Sequence, residues 1–140
     1  IERMRVGTPP VLQLAALEAS LDIWDMVDIE DVRTTSIALI DRFVAGVEDT
    51  CPTLALASPR DGRARGSQAS FRHPEGYAIM QALIARGVIG DFRAPDILRF
   101  GFTPLFINEA DIDKAIVILA DIMAQNLWDR PEYKTRARVT

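Results

Sequence analysis

One arginine stands in the middle of an otherwise apolar run, Ile97-Leu-Arg-Phe-Gly-Phe102. Strand alternation sends Leu98, Phe100 and Phe102 to one face and Ile97, Arg99 and Gly101 to the other. A guanidinium held beside Ile97 needs an anion to offset its lost hydration. Its planar fork of donors matches a carboxylate in bidentate fashion. Gly101, two residues along on the same face, leaves room for something to approach. By spacing alone, the commoner use of such an arginine is a pair with a neighbouring Asp or Glu; the functional use is to hold an anionic ligand.

Thr8 is the second candidate. It precedes Pro9-Pro10, and Thr before a proline commonly caps a helix. A hydroxyl at a helix N-terminus is also a good place for an anion, and Gly7 permits close backbone approach. Other chemistry-bearing residues are sparse. Ser67, Ser70 and His73 lie close in sequence, but no oriented acid or nucleophile elbow accompanies them, which argues against a hydrolytic triad. Cys51-Pro52 falls at a helix-to-strand junction and reads as a buried small residue. The chain has two lysines, Lys114 on the polar side of the last helix and Lys134 in the tail. With one cysteine and one histidine there is neither an internal disulfide nor a cluster with zinc spacing. Trp24 and Trp128 read as packing residues.

The 140 residues, 49% hydrophobic, suffice for one domain with a core. A net charge of −4 argues against nucleic acid as the main partner. No apolar run reaches the ~18–20 residues of a membrane span and none resembles a signal peptide, so cytoplasmic residence is the default expectation. The charge is uneven. Residues 1–50 hold four arginines against ten acids, and residues 51–100 hold seven against four. Arginine-rich strand ends beside an acidic helical face explain this, save for Arg99.

The elements that must position these residues follow from periodicity. Leu12, Ala15, Ala16, Ala19, Ile23 and Met26 form a helical stripe after Pro10. Asp28 should cap a second helix with Val32, Ser36, Leu39, Phe43 and Val47 on one side. Strands are expected over Leu54–Ser58 and Ser67–His73, with Ala69 and Phe71 facing inward and a basic loop between. A helix opens at Pro74-Glu75-Gly76 and ends at Gly87. A short strand over Val88–Phe92, a turn over Arg93–Asp96 and the Arg99 strand over Ile97–Phe102 come next. Asn108 and Asp111 are spaced as a capping box for the last helix, whose stripe is Ile112, Ala115, Ile116, Leu119 and Met123. The order α-α-β-β-α-β-β-α predicts an α+β fold, helices on one face of a small, mostly antiparallel sheet.

Three segments in order carry a family resemblance: Arg5-Val-Gly-Thr-Pro-Pro10, Arg65-Gly-Ser-Gln-Ala-Ser-Phe-Arg-His-Pro-Glu-Gly76 and Arg86-Gly-Val-Ile-Gly-Asp-Phe-Arg-Ala-Pro-Asp-Ile-Leu-Arg-Phe-Gly-Phe-Thr-Pro-Leu-Phe106. From about Met4 onward the chain resembles the C-terminal part of bacterial kynureninases, pyridoxal-phosphate enzymes of the aspartate-aminotransferase fold. The resemblance implies that residues 1–140 are the small C-terminal domain, with residues 1–30 as segment and helix bridging from a large domain. It implies that Arg99 holds the α-carboxylate of an amino-acid substrate. It also implies that Thr8 helps bind the phosphate of pyridoxal 5'-phosphate in the partner subunit's site, across a homodimer. Neither Lys114 nor Lys134 resembles a Schiff-base lysine, which in the family belongs to the large domain. The implied reaction of the intact enzyme is hydrolysis of L-kynurenine to anthranilate and L-alanine, with this chain alone inactive. Two alternatives stand beside it: the small domain of another pyridoxal-phosphate enzyme, of aminotransferase or desulfurase type, or a non-catalytic interaction module.

Overall fold

The computed structural model describes Gly7 and residues 10–135. Helix α1 (Val11–Trp24) begins after Pro10, whose carbonyl accepts the Leu14 N–H at 3.0 Å. Helix α2 (Ile29–Thr50) starts where Asp28 accepts the Glu30 N–H at 2.7 Å, with Glu30 and Asp31 complementing the positive end of the helix. Strands β1 (Ala55–Leu56) and β2 (Gln68–Arg72) follow, then helix α3 (Gly76–Ala85), strands β3 (Asp91–Arg93) and β4 (Ile97–Gly101), helix α4 (Glu109–Ala124) and the short helix α5 (Pro131–Lys134). The four strands form one sheet in the order β1-β2-β4-β3, every pairing antiparallel. The expected α+β order is present.

Alternation decides which side of the sheet carries the helices. Ala69 and Phe71 of β2 and Leu98 and Phe100 of β4 are buried, and α2 and α3 pack against these strands while α4 lies on α2 and α3. Phe43 of α2 sits at the centre, its ring centroid 6.1 Å from Phe71, 5.0 Å from Phe100 and 5.3 Å from Phe102. The stripe on α2 is buried as expected at Ser36, Leu39, Phe43 and Val47. On α4 the capping box forms: Asn108 accepts the Ala110 and Asp111 N–H groups, and Asp111 accepts the Asn108 N–H at 3.0 Å.

All four strands are shorter than their sequence suggests, β2 and β4 by one or two end residues and β1 and β3 for reasons visible in the local bonding. Gly87 (φ +85°) closes α3 with the Val88 N–H donating to Leu83 O and the Gly87 N–H to Ile84 O, so Val88 belongs to the helix cap and β3 starts only at Asp91. At β1, the Ser58 hydroxyl accepts the Ser70 N–H at 2.9 Å in place of a backbone carbonyl, and the ladder stops. The stripe on α1 departs further from expectation. No residue of α1 is buried, Leu12 is 88% exposed, and Trp24 is 41% exposed.

Two glycines near Arg99 make opposite predictions. A Cβ on Gly90 would lie 2.8 Å from the Arg99 carbonyl oxygen and 2.7 Å from Met80 Cε, whereas one on Gly101 would meet nothing within 4 Å. Gly90→Ala should therefore cost ~1–3 kcal/mol by forcing β3 off β4. Gly101→Ala should change stability by less than ~0.5 kcal/mol. Paired urea denaturation curves check both, and equal midpoints for the two variants would contradict the packing described.

Candidate functional site

The helix-free face of the sheet carries Gln68, Ser70 and Arg72 from β2, Ile97, Arg99 and Gly101 from β4, and Asp91 and Arg93 from β3. Arg99 lies in the inner strand β4, with Ser70 opposite on one side and Asp91 opposite on the other. Its side chain is 29% exposed. The guanidinium Nη2 donates to Asp91 Oδ2, so the neighbouring-carboxylate partner expected of the commoner use is present. Asp91 also faces Arg93, whose Nε stands 3.6 Å from the same oxygen. Two guanidinium groups thus share one carboxylate. Arg99 Nε is buried and has no hydrogen-bond partner among the described residues.

Four other arginines of residues 51–100 pair with carboxylates away from this face. Arg60 pairs with Glu48, Arg63 with Asp61 and Arg86 with Asp121. The Arg65 side chain is 4% exposed; it donates to Pro59 O and Arg60 O and pairs with Asp41 of α2. Arg33 of α2 donates to Arg65 O at 2.7 Å and to Gly62 O. These bonds hold the 59–66 loop on α2 and so fix where β2 begins. The Ser36 hydroxyl adds a 2.7 Å bond to Ser67 Oγ. This role of Arg33 and Arg65 was not legible from spacing.

Thr8 lies outside the described residues. Lys114 is exposed on α4, and Lys134 pairs with Asp129 and stands 5.6 Å from the Trp128 ring centroid. Lys114 belongs to α4 and Lys134 to α5, and neither is on the strands that carry Arg99. Cys51 is 1% exposed and burial pushes its thiol pKa up, which unfits it as a nucleophile. No group of three His, Cys, Asp or Glu among the described residues could hold a metal, and none of the helices described is long and apolar enough to cross a membrane.

Ser67 and Ser70 bond to Ser36 and Gln68, not to His73. The His73 Nδ1 accepts the Glu75 N–H at 3.1 Å and the ring meets Trp128 edge-on at 6.0 Å. Burial holds its pKa below the ordinary 6.5, with Glu75 opposing weakly. The unfolded chain then binds the proton more readily, so this contribution to stability is complete above about pH 6.5 and is lost as pH falls through that value towards the folded-state pKa. Melting temperatures at pH 7.5 and 5.5 should fall more for the protein than for His73→Gln. An equal fall in both would remove His73 from the acid response.

The fold and this face define a small α+β domain with three helices under a four-stranded antiparallel sheet and an arginine-bearing face opposite. Comparison with known proteins places it. A family model of the kynureninase C-terminal domain matches residues 32–119, and the chain belongs to that family. Kynureninases of Burkholderia mallei (strain SAVP1) and Burkholderia pseudomallei (strain K96243) are each 50% identical to it over 142 residues. That of Pseudomonas fluorescens is 44% identical over the same length. Each alignment covers 100% of this chain but only 34% of the relative, so the chain spans about a third of the length of the curated relatives it matches.

Proposed function

We propose that this domain is the substrate-carboxylate clamp of a kynureninase, a pyridoxal-phosphate-dependent hydrolase that cleaves L-kynurenine with water to anthranilate and L-alanine. The observation that supports it best is Arg99 itself: a half-buried guanidinium on the helix-free sheet face, engaged by Asp91 at Nη2, with open space over Gly101 beside it. A carboxylate supplies acceptors for the donors of the fork that Asp91 leaves free. Holding the α-carboxylate would fix the substrate's Cα relative to the reacting groups, and that positioning lowers the entropic part of the barrier.

The remaining two thirds of the intact enzyme would supply the lysine that carries the cofactor and most cofactor contacts. The exposed apolar surface of α1 suits a helix bridging to that large domain, since Leu12, Leu14, Leu17 and Leu21 find no cover here. Thr8 would contribute its hydroxyl to the cofactor phosphate across a homodimer in the cytoplasm. The test is release of anthranilate from L-kynurenine by the intact protein, with residues 1–140 alone as the negative control. Release by the intact protein only is the expected result. Bound pyridoxal phosphate without anthranilate would move the function to a sister enzyme such as an aminotransferase; the buried Cys51 already argues against a desulfurase.

A further inference from the structure

We propose that Asp91 is a positioning residue for the Arg99 clamp: it holds the guanidinium in the plane in which a substrate carboxylate meets it. This rests on the clamp reading above and adds to it a residue that acts through Arg99. Asp91 stands directly opposite Arg99 in the β3–β4 register, close enough for side chains to interact across the strands. It engages one end of the fork, at Nη2, and leaves Arg99 further donors for a second carboxylate. An arginine side chain has much rotamer freedom, and an arginine already ordered loses less of it when the ligand arrives.

One effect opposes this. A carboxylate beside the site repels an anionic ligand, so removing Asp91 would also relieve repulsion. Two features of the structure weaken that term. Asp91 is 54% exposed, so water screens it, and Arg93 at 3.6 Å offsets its charge. Orientation is local and is not screened. Loss of Asp91 therefore removes ordering more than it removes charge.

The experiment is a double-mutant cycle in the intact enzyme with Asp91→Ala, Arg99→Ala and both changes, reading KM and kcat for L-kynurenine and, by calorimetry, the Kd of L-alanine. Asp91→Ala should raise KM and the L-alanine Kd about 3- to 10-fold, the effect of freeing one rotamer-rich side chain, and leave kcat within about twofold. The effect should vanish in the Arg99→Ala background, which a general loss of structure would not do. Asp91→Glu, which restores the charge on a longer arm, should recover part of the affinity. Unchanged or lower KM and Kd in Asp91→Ala, or equal losses with and without Arg99, would overturn the proposal. If Arg99→Ala itself leaves KM and Kd untouched, the clamp reading fails and this inference goes with it; if only the Asp91 changes are silent, the clamp stands and the positioning role is wrong.

Discussion

Arg99→Ala in the intact enzyme is expected to lower kcat/KM for L-kynurenine by at least ~2–3 kcal/mol, the scale of a charge-assisted pair lost from a partly desolvated site. That corresponds to a factor of about 30 to 150. The change removes the guanidinium and leaves Asp91 with Arg93 as its neighbour, so no unpaired charge is left buried in the domain. Stability should therefore move little while catalysis moves a great deal. Arg99→Lys should recover only part of the loss, because an ammonium is a point charge and cannot present the same fork to Asp91 and to a second carboxylate together. Steady-state kinetics beside a thermal melt separates these effects. A variant with near-normal efficiency would take Arg99 off the substrate and leave its pairing with Asp91 as its whole role.

The second large effect belongs to the core. Phe43→Ala is expected to destabilise the fold by ~3–5 kcal/mol, against a total of ~5–15 kcal/mol for a domain of this kind. The melting temperature should then drop by about 10 °C or more. Phe43 is 2% exposed and meets three other rings, and it lines a cleft of about 220 Å³ with Phe100, Phe102 and Ile112. Truncation would join the vacated volume to that cleft, and a space walled by α2, α4 and β4 cannot collapse far. The cost should fall in the upper half of the range for that reason. Val117→Ala, at a position 67% exposed on α4, is the control and should stay within ~0.5 kcal/mol. Comparable midpoints for the two variants in urea would mean that the aromatic cluster does not hold the sheet to α2.

Much of this architecture was legible because its signals are local. Asp28, the Asn108–Asp111 pair and Gly87 each act within one helical turn, and all three do in the fold what their spacing implies. The apolar alternation through Leu98, Phe100 and Phe102 likewise put Arg99 on the face opposite the helices. The stripe on α1 was legible too, but its burial was not, because an apolar face does not say which surface covers it.

The partner of Arg99 was a matter of register. A strand over Val88–Phe92 followed by a four-residue turn would set Phe92 opposite Ile97 and Asp91 opposite Leu98, on the wrong face. The structure extends β3 to Arg93, shortens the turn to residues 94–96 and so sets Asp91 opposite Arg99. A shift of one residue turns every side chain of a strand to the other face. Short-range periodicity cannot choose between these registers; the cap that Gly87 and Val88 make at the end of α3 and the close passage of Gly90 over the Arg99 carbonyl can. By itself, then, the sequence determined the element order, the caps, the family resemblance and the face on which Arg99 lies. Only the tertiary structure decided that Asp91 and Arg93 converge on it, and that Arg33 and Arg65 hold the loop leading to the strand beside it, because these contacts join residues whose meeting depends on how separate elements pack.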